Sequence, residues 1–140
     1  MPDQNTTALR AALAALPKPL RTLHKAMIDI ETVYFGSVGS PLEHLQLITS
    51  HPHFAWLQAL SALMAQFDEW LDQVDEDATL LTAETAAGWR TAIEALVGPG
   101  APASEEFRRR YLILLQDAPE VAMAHGALRA ALAALPRALG

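Results

Sequence analysis

Between residues 51 and 74 the apolar side chains fall in steps of three and four: Leu57, Leu60, Met64, Phe67, Leu71 and Val74. This is the spacing of a seam buried along one face of an α-helix. A second file, Trp56, Leu63 and Trp70, recurs every seven residues beside the first. Two adjacent files make an apolar arc too wide for one shallow contact. The stretch is therefore expected to form one long helix at the centre of the domain.

The composition around it favours helix as well. The chain has 140 residues, 51% of them apolar, with alanine and leucine dominant and glycine and β-branched residues sparse. That is ample for a core and too apolar for disorder. The expectation is an all-α fold, a single helical-bundle domain over residues 1–140. There are no cysteines, which excludes disulfides, thiolate metal sites and cysteine nucleophiles. The first seven residues lack the basic and apolar regions of a signal peptide, and Gln58 and Gln66 interrupt the longest apolar run before it could span a membrane. A soluble, cytoplasmic protein is expected.

The net charge of −6 is concentrated in one segment. Residues 1–67 carry four acids and four bases, and residues 87–140 carry five acids and six bases. Between them lie Asp68, Glu69, Asp72, Asp75, Glu76, Asp77 and Glu84, with no base. Such a surface repels phosphate backbones, so no nucleic-acid partner is expected.

Taken in order, Asn5 or Thr6 can cap a first helix with stripe Leu9, Leu13 and Leu16, ended by Pro17. A second helix starts near Pro19 and runs to about Phe35, with Gly36, Ser37 and Gly39 as its break. Its seam is Leu20, Leu23, Met27, Ile30 and Tyr34. Beside that lies a mixed file of His24, Ile28, Glu31 and Phe35. Ser40-Pro41-Leu42-Glu43 has the form of a capping box and opens a short helix over 42–49. The long helix follows from the His51-Pro52 corner, and its acidic end opposes the helix dipole, which predicts fraying over 74–77. Thr82 can cap a fifth helix carrying Ala86, Trp89, Ile93 and Leu96. The segment 98–103 is the expected flexible connector, and Ser104 the cap of a sixth helix with seam Phe107, Tyr111 and Leu114. Asp117-Ala118-Pro119-Glu120 again has capping-box form. It opens a last helix carrying Val121, His125, Leu128, Leu132 and Leu135. The expected bundle thus has four principal helices (the second, the long one, the fifth and the last) with shorter ones at the corners. Residues 8–17 and 127–136 share the same ten letters, ALRAALAALP, but their flanks differ, so no repeat architecture is inferred.

Motifs for chemistry are few. No histidine has a glutamate three residues before it, and no His-Glu-x-x-His is present, so neither a di-iron bundle nor a zinc helix is expected. No metal and no cofactor are assigned. A nucleophile elbow and a phosphate-binding glycine loop are also absent, so no catalytic residue is named. Arg108-Arg109-Arg110 follows Glu105-Glu106 and is read as a salt-bridged surface in preference to a phosphate site. One polar cluster stands out by helical position: His24 and Glu31 on the second helix, Ser61 and Asp68 beside the seam of the long helix, and His125 on the last. If these faces converge they make either a hydrogen-bonded network that sets the helix register or a ligand pocket, and the structural reading is preferred. Trp56, Leu63 and Trp70 are read as core; exposed, they would be an interface. Ala122, Gly126, Ala130 and Ala133 form a small-residue surface that another helix could approach.

These residues carry a resemblance. Leu23-His24-Lys25 with Asp29 and Glu31, then the run His51-Pro52-His53-Phe54-Ala55-Trp56-Leu57 continuing to Ser61 and Asp68-Glu69, then Phe107-Arg108 with Arg110-Tyr111, and Pro119 with Ala124-His125, resemble a set of small bacterial all-helical proteins of uncharacterised function. The resemblance implies an all-helical cytoplasmic domain and brings no activity with it. The function expected from the sequence is a non-enzymatic interaction or regulatory bundle, a homo-oligomer or the binder of a protein partner, with no membrane association. The alternative is a ligand- or metal-binding bundle built on the histidine and carboxylate cluster.

Overall fold

The computed structural model describes residues 4–36, 39–98 and 105–137. Helices α1 (Gln4–Ala14), α2 (Pro17–Phe35), α3 (Pro41–Ser50), α4 (Pro52–Ala55) and α5 (Gln58–Glu76) are followed by a 3-10 turn (Ala78–Leu80). Helices α6 (Ala83–Val97), α7 (Glu105–Asp117) and α8 (Pro119–Leu132) come next among the described residues. No strand occurs among the described residues. The fold is all-α.

Local chemistry sets most of the boundaries. Prolines open α2, α3, α4 and α8, where the missing N–H removes a donor that had no partner anyway. Gly36 ends α2 at φ 113°, a conformation that side-chain-bearing residues rarely adopt. Ser40 Oγ accepts from the Glu43 amide at 3.2 Å, while Glu43 Oε2 reaches back to the Gly39 amide at 3.0 Å, one residue beyond the usual capping-box partner. Thr82 and Thr85 form a reciprocal cap on α6. At the end of α5, Asp77 Oδ1 accepts from the Thr79 amide (3.1 Å) and hydroxyl (2.6 Å), bonds that hold its carboxyl below the usual carboxylate range. This turn and the burial of Val74 keep α5 helical to Glu76, where fraying was expected.

Several sequence expectations are displaced. Asn5 and Thr6 lie inside α1, so neither caps it from outside. The second helix begins at Pro17, two residues earlier than expected. Asp117 is the last residue of α7, and Ala118 caps α8 without a side-chain bond. Ser104 and most of the 98–103 connector lie outside the described residues.

The expected single rod over 51–74 is broken into α4 and α5. Phe54, Trp56 and Leu57 are all buried, yet on one continuous helix Trp56 would point well away from the face that Phe54 and Leu57 share. The chain resolves this with short-range bonds, Leu57 N–H to Phe54 O and Leu60 N–H to Leu57 O, both 3.1 Å. Beyond the break the expected seam holds: Leu60, Phe67 and Val74 are buried, and Leu63, Met64, Trp70 and Leu71 flank them against the core. The acidic segment Asp68 to Glu84 is exposed at each of its seven carboxylates.

The centre of the domain is not α5. The most extensive helix pairing is α2 with α8; the buried residues of α2 include Leu20, Leu23 and Met27, and those of α8 are Val121, Ala124, Leu128 and Leu132. Alanine at 124 keeps that face shallow, so two helices can lie close. Helix α5 packs beside this pair on α2 and α6, and α7 packs on α6 and α8. Towards its end α2 turns a different face inward: Ile28 and Glu31 are buried, while Tyr34, expected on the seam, is 61% exposed. The reason is α4, which packs on that last turn and draws the buried stripe towards Glu31.

Candidate ligand site

Two polar clusters lie on the inner faces. The first locks α4 onto the end of α2. Glu31 is only 6% exposed, and its Oε2 accepts the Trp56 indole N–H at 3.3 Å and lies 3.3 Å from His53 Nε2. His53 Nε2 also lies 2.9 Å from the Glu31 carbonyl oxygen. A carbonyl can only accept, so His53 carries a proton on Nε2. His51 Nδ1 accepts the His53 amide at 3.1 Å and thereby caps α4. Thr32 Oγ1 donates to the Ile28 carbonyl at 2.7 Å, so the 2.7 Å bond between Thr32 Oγ1 and His44 Nε2 has the imidazole as donor. Phe35 fills the space between these rings, 4.9 Å from His51, 5.5 Å from His53 and 5.7 Å from Phe54. The bonds named here join side chains and backbone of this cluster across helix ends.

The second cluster opens onto a cavity. Tyr111 of α7 and His125 of α8 share a hydrogen bond between Oη and Nδ1 at 2.6 Å. Both line a recess of about 270 Å³ between α6, α7 and α8, whose walls include Leu96, Leu115, Arg108 and Arg129. Burial pushes the Tyr111 hydroxyl well above the usual phenol range, against an opposing pull from Arg129. Burial and then Arg129 hold the His125 imidazole below its ordinary value. At neutral pH the pair is therefore a protonated phenol and a neutral imidazole. With the phenol as donor, the imidazole proton sits on Nε2. Helical register builds the site: Arg108 and Tyr111 are three residues apart on α7, and His125 and Arg129 four apart on α8, so each pair shares a face.

An aromatic path crosses the core between the clusters. Trp56 meets Phe107 edge-on at 5.3 Å, and Phe107 stacks on Tyr111 at 5.8 Å. Such pairs add about 0.5–1.5 kcal/mol beyond their burial.

The five residues singled out from the sequence are not brought to one point. Glu31 belongs to the first cluster and His125 to the second. His24 is half-buried on α2, where burial lowers its pKa, and it has no hydrogen-bond partner among the described residues. Ser61 Oγ donates to the Gln58 carbonyl in its own helix at 3.2 Å, and Asp68 is exposed. Trp56 is buried, and Leu63 and Trp70 are half-buried against the core, with Trp70 5.7 Å from Trp89. Ala122, Gly126, Ala130 and Ala133 are exposed, and a methyl group added at Gly126 would meet nothing within 4 Å. Among the described residues no three His, Asp or Glu side chains converge to hold a metal ion.

Sequence reasoning did not assign His53, Tyr111, Arg108 or Arg129 to a site. The spacing of the last three was available; the meeting of α7 with α8 was not. The arginine run divides in the fold. Arg109 is exposed, Arg110 Nε lies 3.3 Å from Glu106 Oε1 as the salt-bridged reading requires, and Arg108 lines the cavity. A larger groove of about 610 Å³ lies between α1 and the end of α5, but its charges, Arg10 and Asp75, pair with each other at 2.7 Å.

No family model, no curated protein and no solved structure matches the chain. No helix among the described residues is long and apolar enough to cross a membrane.

Proposed function

We propose that this chain is a small-ligand-binding helical bundle whose site is the α6–α7–α8 cavity. The observation that carries the reading is the recess of about 270 Å³ with apolar walls and the Tyr111–His125 pair on its lining. That volume is just under the range of about 300–1,000 Å³ usual for drug-sized ligands, and such sites combine apolar walls with a few placed polar groups. The resemblance to uncharacterised bacterial helical proteins supplies no activity, so the proposal stands on this geometry.

The test is a thermal-shift screen against a metabolite panel, with hits located by the ring resonances of Tyr111 and His125. A ligand at a hundred times its Kd stabilises the fold by about 2.7 kcal/mol, a rise of several degrees. A panel in which nothing raises the melting temperature, and in which neither ring moves, would falsify the proposal.

A second reading, a self-associating or partner-binding bundle, has its own observation. Val33 and Tyr34 at the end of α2 are 78% and 61% exposed, and Leu42 and Leu45 of α3 are 64% and 58% exposed. The Thr32–His44 bond holds α3 beside that end of α2. Apolar side chains gathered in this way suit a protein contact. Light scattering across a concentration series decides it: a dimer that Val33→Glu disperses supports the reading, and a monomer at every concentration removes it.

A further inference from the structure

We infer that the ligand of the α6–α7–α8 cavity is a small organic anion, a carboxylate or phosphate ester joined to a short apolar body. The inference rests on the cavity being a binding site, as proposed above.

The charge balance of the lining points this way. In a chain of net charge −6, the described lining of this recess holds two arginines and no acid. Arg10, Arg90 and Arg110 lie against Asp75, Glu94 and Glu106. Arg129 is half-buried and has no acidic partner among the described residues. A guanidinium withdrawn from water without a counter-charge is unfavourable, and an anion in the recess supplies one.

The neutral members of the site agree. Tyr111 and His125 carry no negative charge at neutral pH, and the phenol proton remains in place. No acidic side chain is on the described lining and none pairs with Arg129 among the described residues, so a cationic ligand would meet a like charge at close range. The guanidinium fork matches the paired oxygens of a carboxylate or phosphate. Leu96 and Leu115 then face the rest of the molecule, which selects an apolar body over a bare inorganic ion.

Four probes with one tail and different heads test this on the unaltered chain: hexanoate, hexyl phosphate, hexanol and hexylamine. Binding is read from the ring resonances of Tyr111 and His125 during titration. The expected result is that at least one anion binds tenfold or more tighter than hexanol, that hexylamine binds more weakly still, and that the advantage shrinks as salt is added. The better of hexanoate and hexyl phosphate tells which head the site prefers. Arg129→Gln should bring the anion down to the affinity of hexanol, while Arg109→Gln, on the exposed face, should leave it unchanged.

Hexanol binding as tightly as both anions would overturn the charge inference and leave the cavity reading standing. An Arg129→Gln variant that folds and keeps the full anion preference would do the same. If none of the four probes moves either ring, the inferred ligand class is wrong, and the metabolite screen then judges the cavity by itself.

Discussion

Arg90 Nη1 donates to the backbone carbonyl of Leu135 at 2.5 Å, across the domain from α6 to the turn that follows α8. The bond explains how one ten-letter sequence is used twice. In both copies of ALRAALAALP the helix closes in a tight turn, with Leu16 N–H to Leu13 O and Leu135 N–H to Leu132 O. After the first copy the chain continues as α2, and the Leu20 amide takes the Leu16 carbonyl at 3.1 Å. No helix follows the second copy among the described residues, and the nearly buried guanidinium of Arg90 supplies the donor, anchored by Glu94 at 2.8 Å.

Arg90→Ala should therefore destabilise the fold by about 1.5–3 kcal/mol, the range for hydrogen bonds to a charged group. Arg90→Lys should recover part of this. Urea unfolding measures both, and hydrogen exchange should show the loss concentrated at the end of α8. A variant as stable as the parent would rule out the anchoring role.

The Glu31–Trp56 bond joins α2 to the α4–α5 corner in the same manner. Glu31→Ala leaves the buried indole N–H without an acceptor, which costs about 1–3 kcal/mol. Glu31→Gln keeps an acceptor and should lose less. In a double-mutant cycle with Trp56→Phe the two losses should fall short of additivity, because either change alone already removes the bond. Strict additivity would mean that the two side chains do not interact.

Stability should fall as the pH drops below about 6.5, the ordinary value for histidine. His24 and His125 both have folded-state pKa values lowered chiefly by burial. Between the lowered folded value and the ordinary unfolded one, the unfolded chain binds more protons, so acid favours unfolding there. The contribution is complete above the unfolded value and levels off once both states are protonated. Replacing both residues with Gln should flatten this part of the curve in chemical denaturation from pH 7.5 to 5. A variant curve parallel to that of the parent would assign the dependence to other groups.

Gly88 in α6 and Gly126 in α8 are helical, exposed, and have nothing within 4 Å of an added methyl. Alanine at either position should raise stability by about 0.5–1 kcal/mol, since glycine loses more backbone freedom on folding. The two gains should add, because the sites are on different helices with no shared contacts. Loss of stability at Gly126 alone would show that the small-residue face of α8 is packed against something in solution.

The sequence by itself determined the helices, the prolines and caps that begin many of them, and the apolar stripes of α2, α5 and α8. These follow from short-range physics: fixed φ at proline, orphan amides that need a cap, and side chains repeating every few residues. It also determined that 127–136 would close as 8–17 does, since the same ten residues meet the same local constraints. Only the tertiary structure decided that α2 and α8 pair most extensively, because the depth of a helix–helix contact depends on which small residue faces which large one. The break at Trp56 and Leu57 is of the same kind: each residue favours helix locally, and only the surrounding helices require three neighbouring side chains to be buried at once. The sites follow suit. Glu31 and His125 could be picked from their helical positions, but their partners, Trp56 and Tyr111, lie 25 and 14 residues away. Those pairings exist because packed helix faces brought them together, and periodicity along a single helix carries no information about the face it meets.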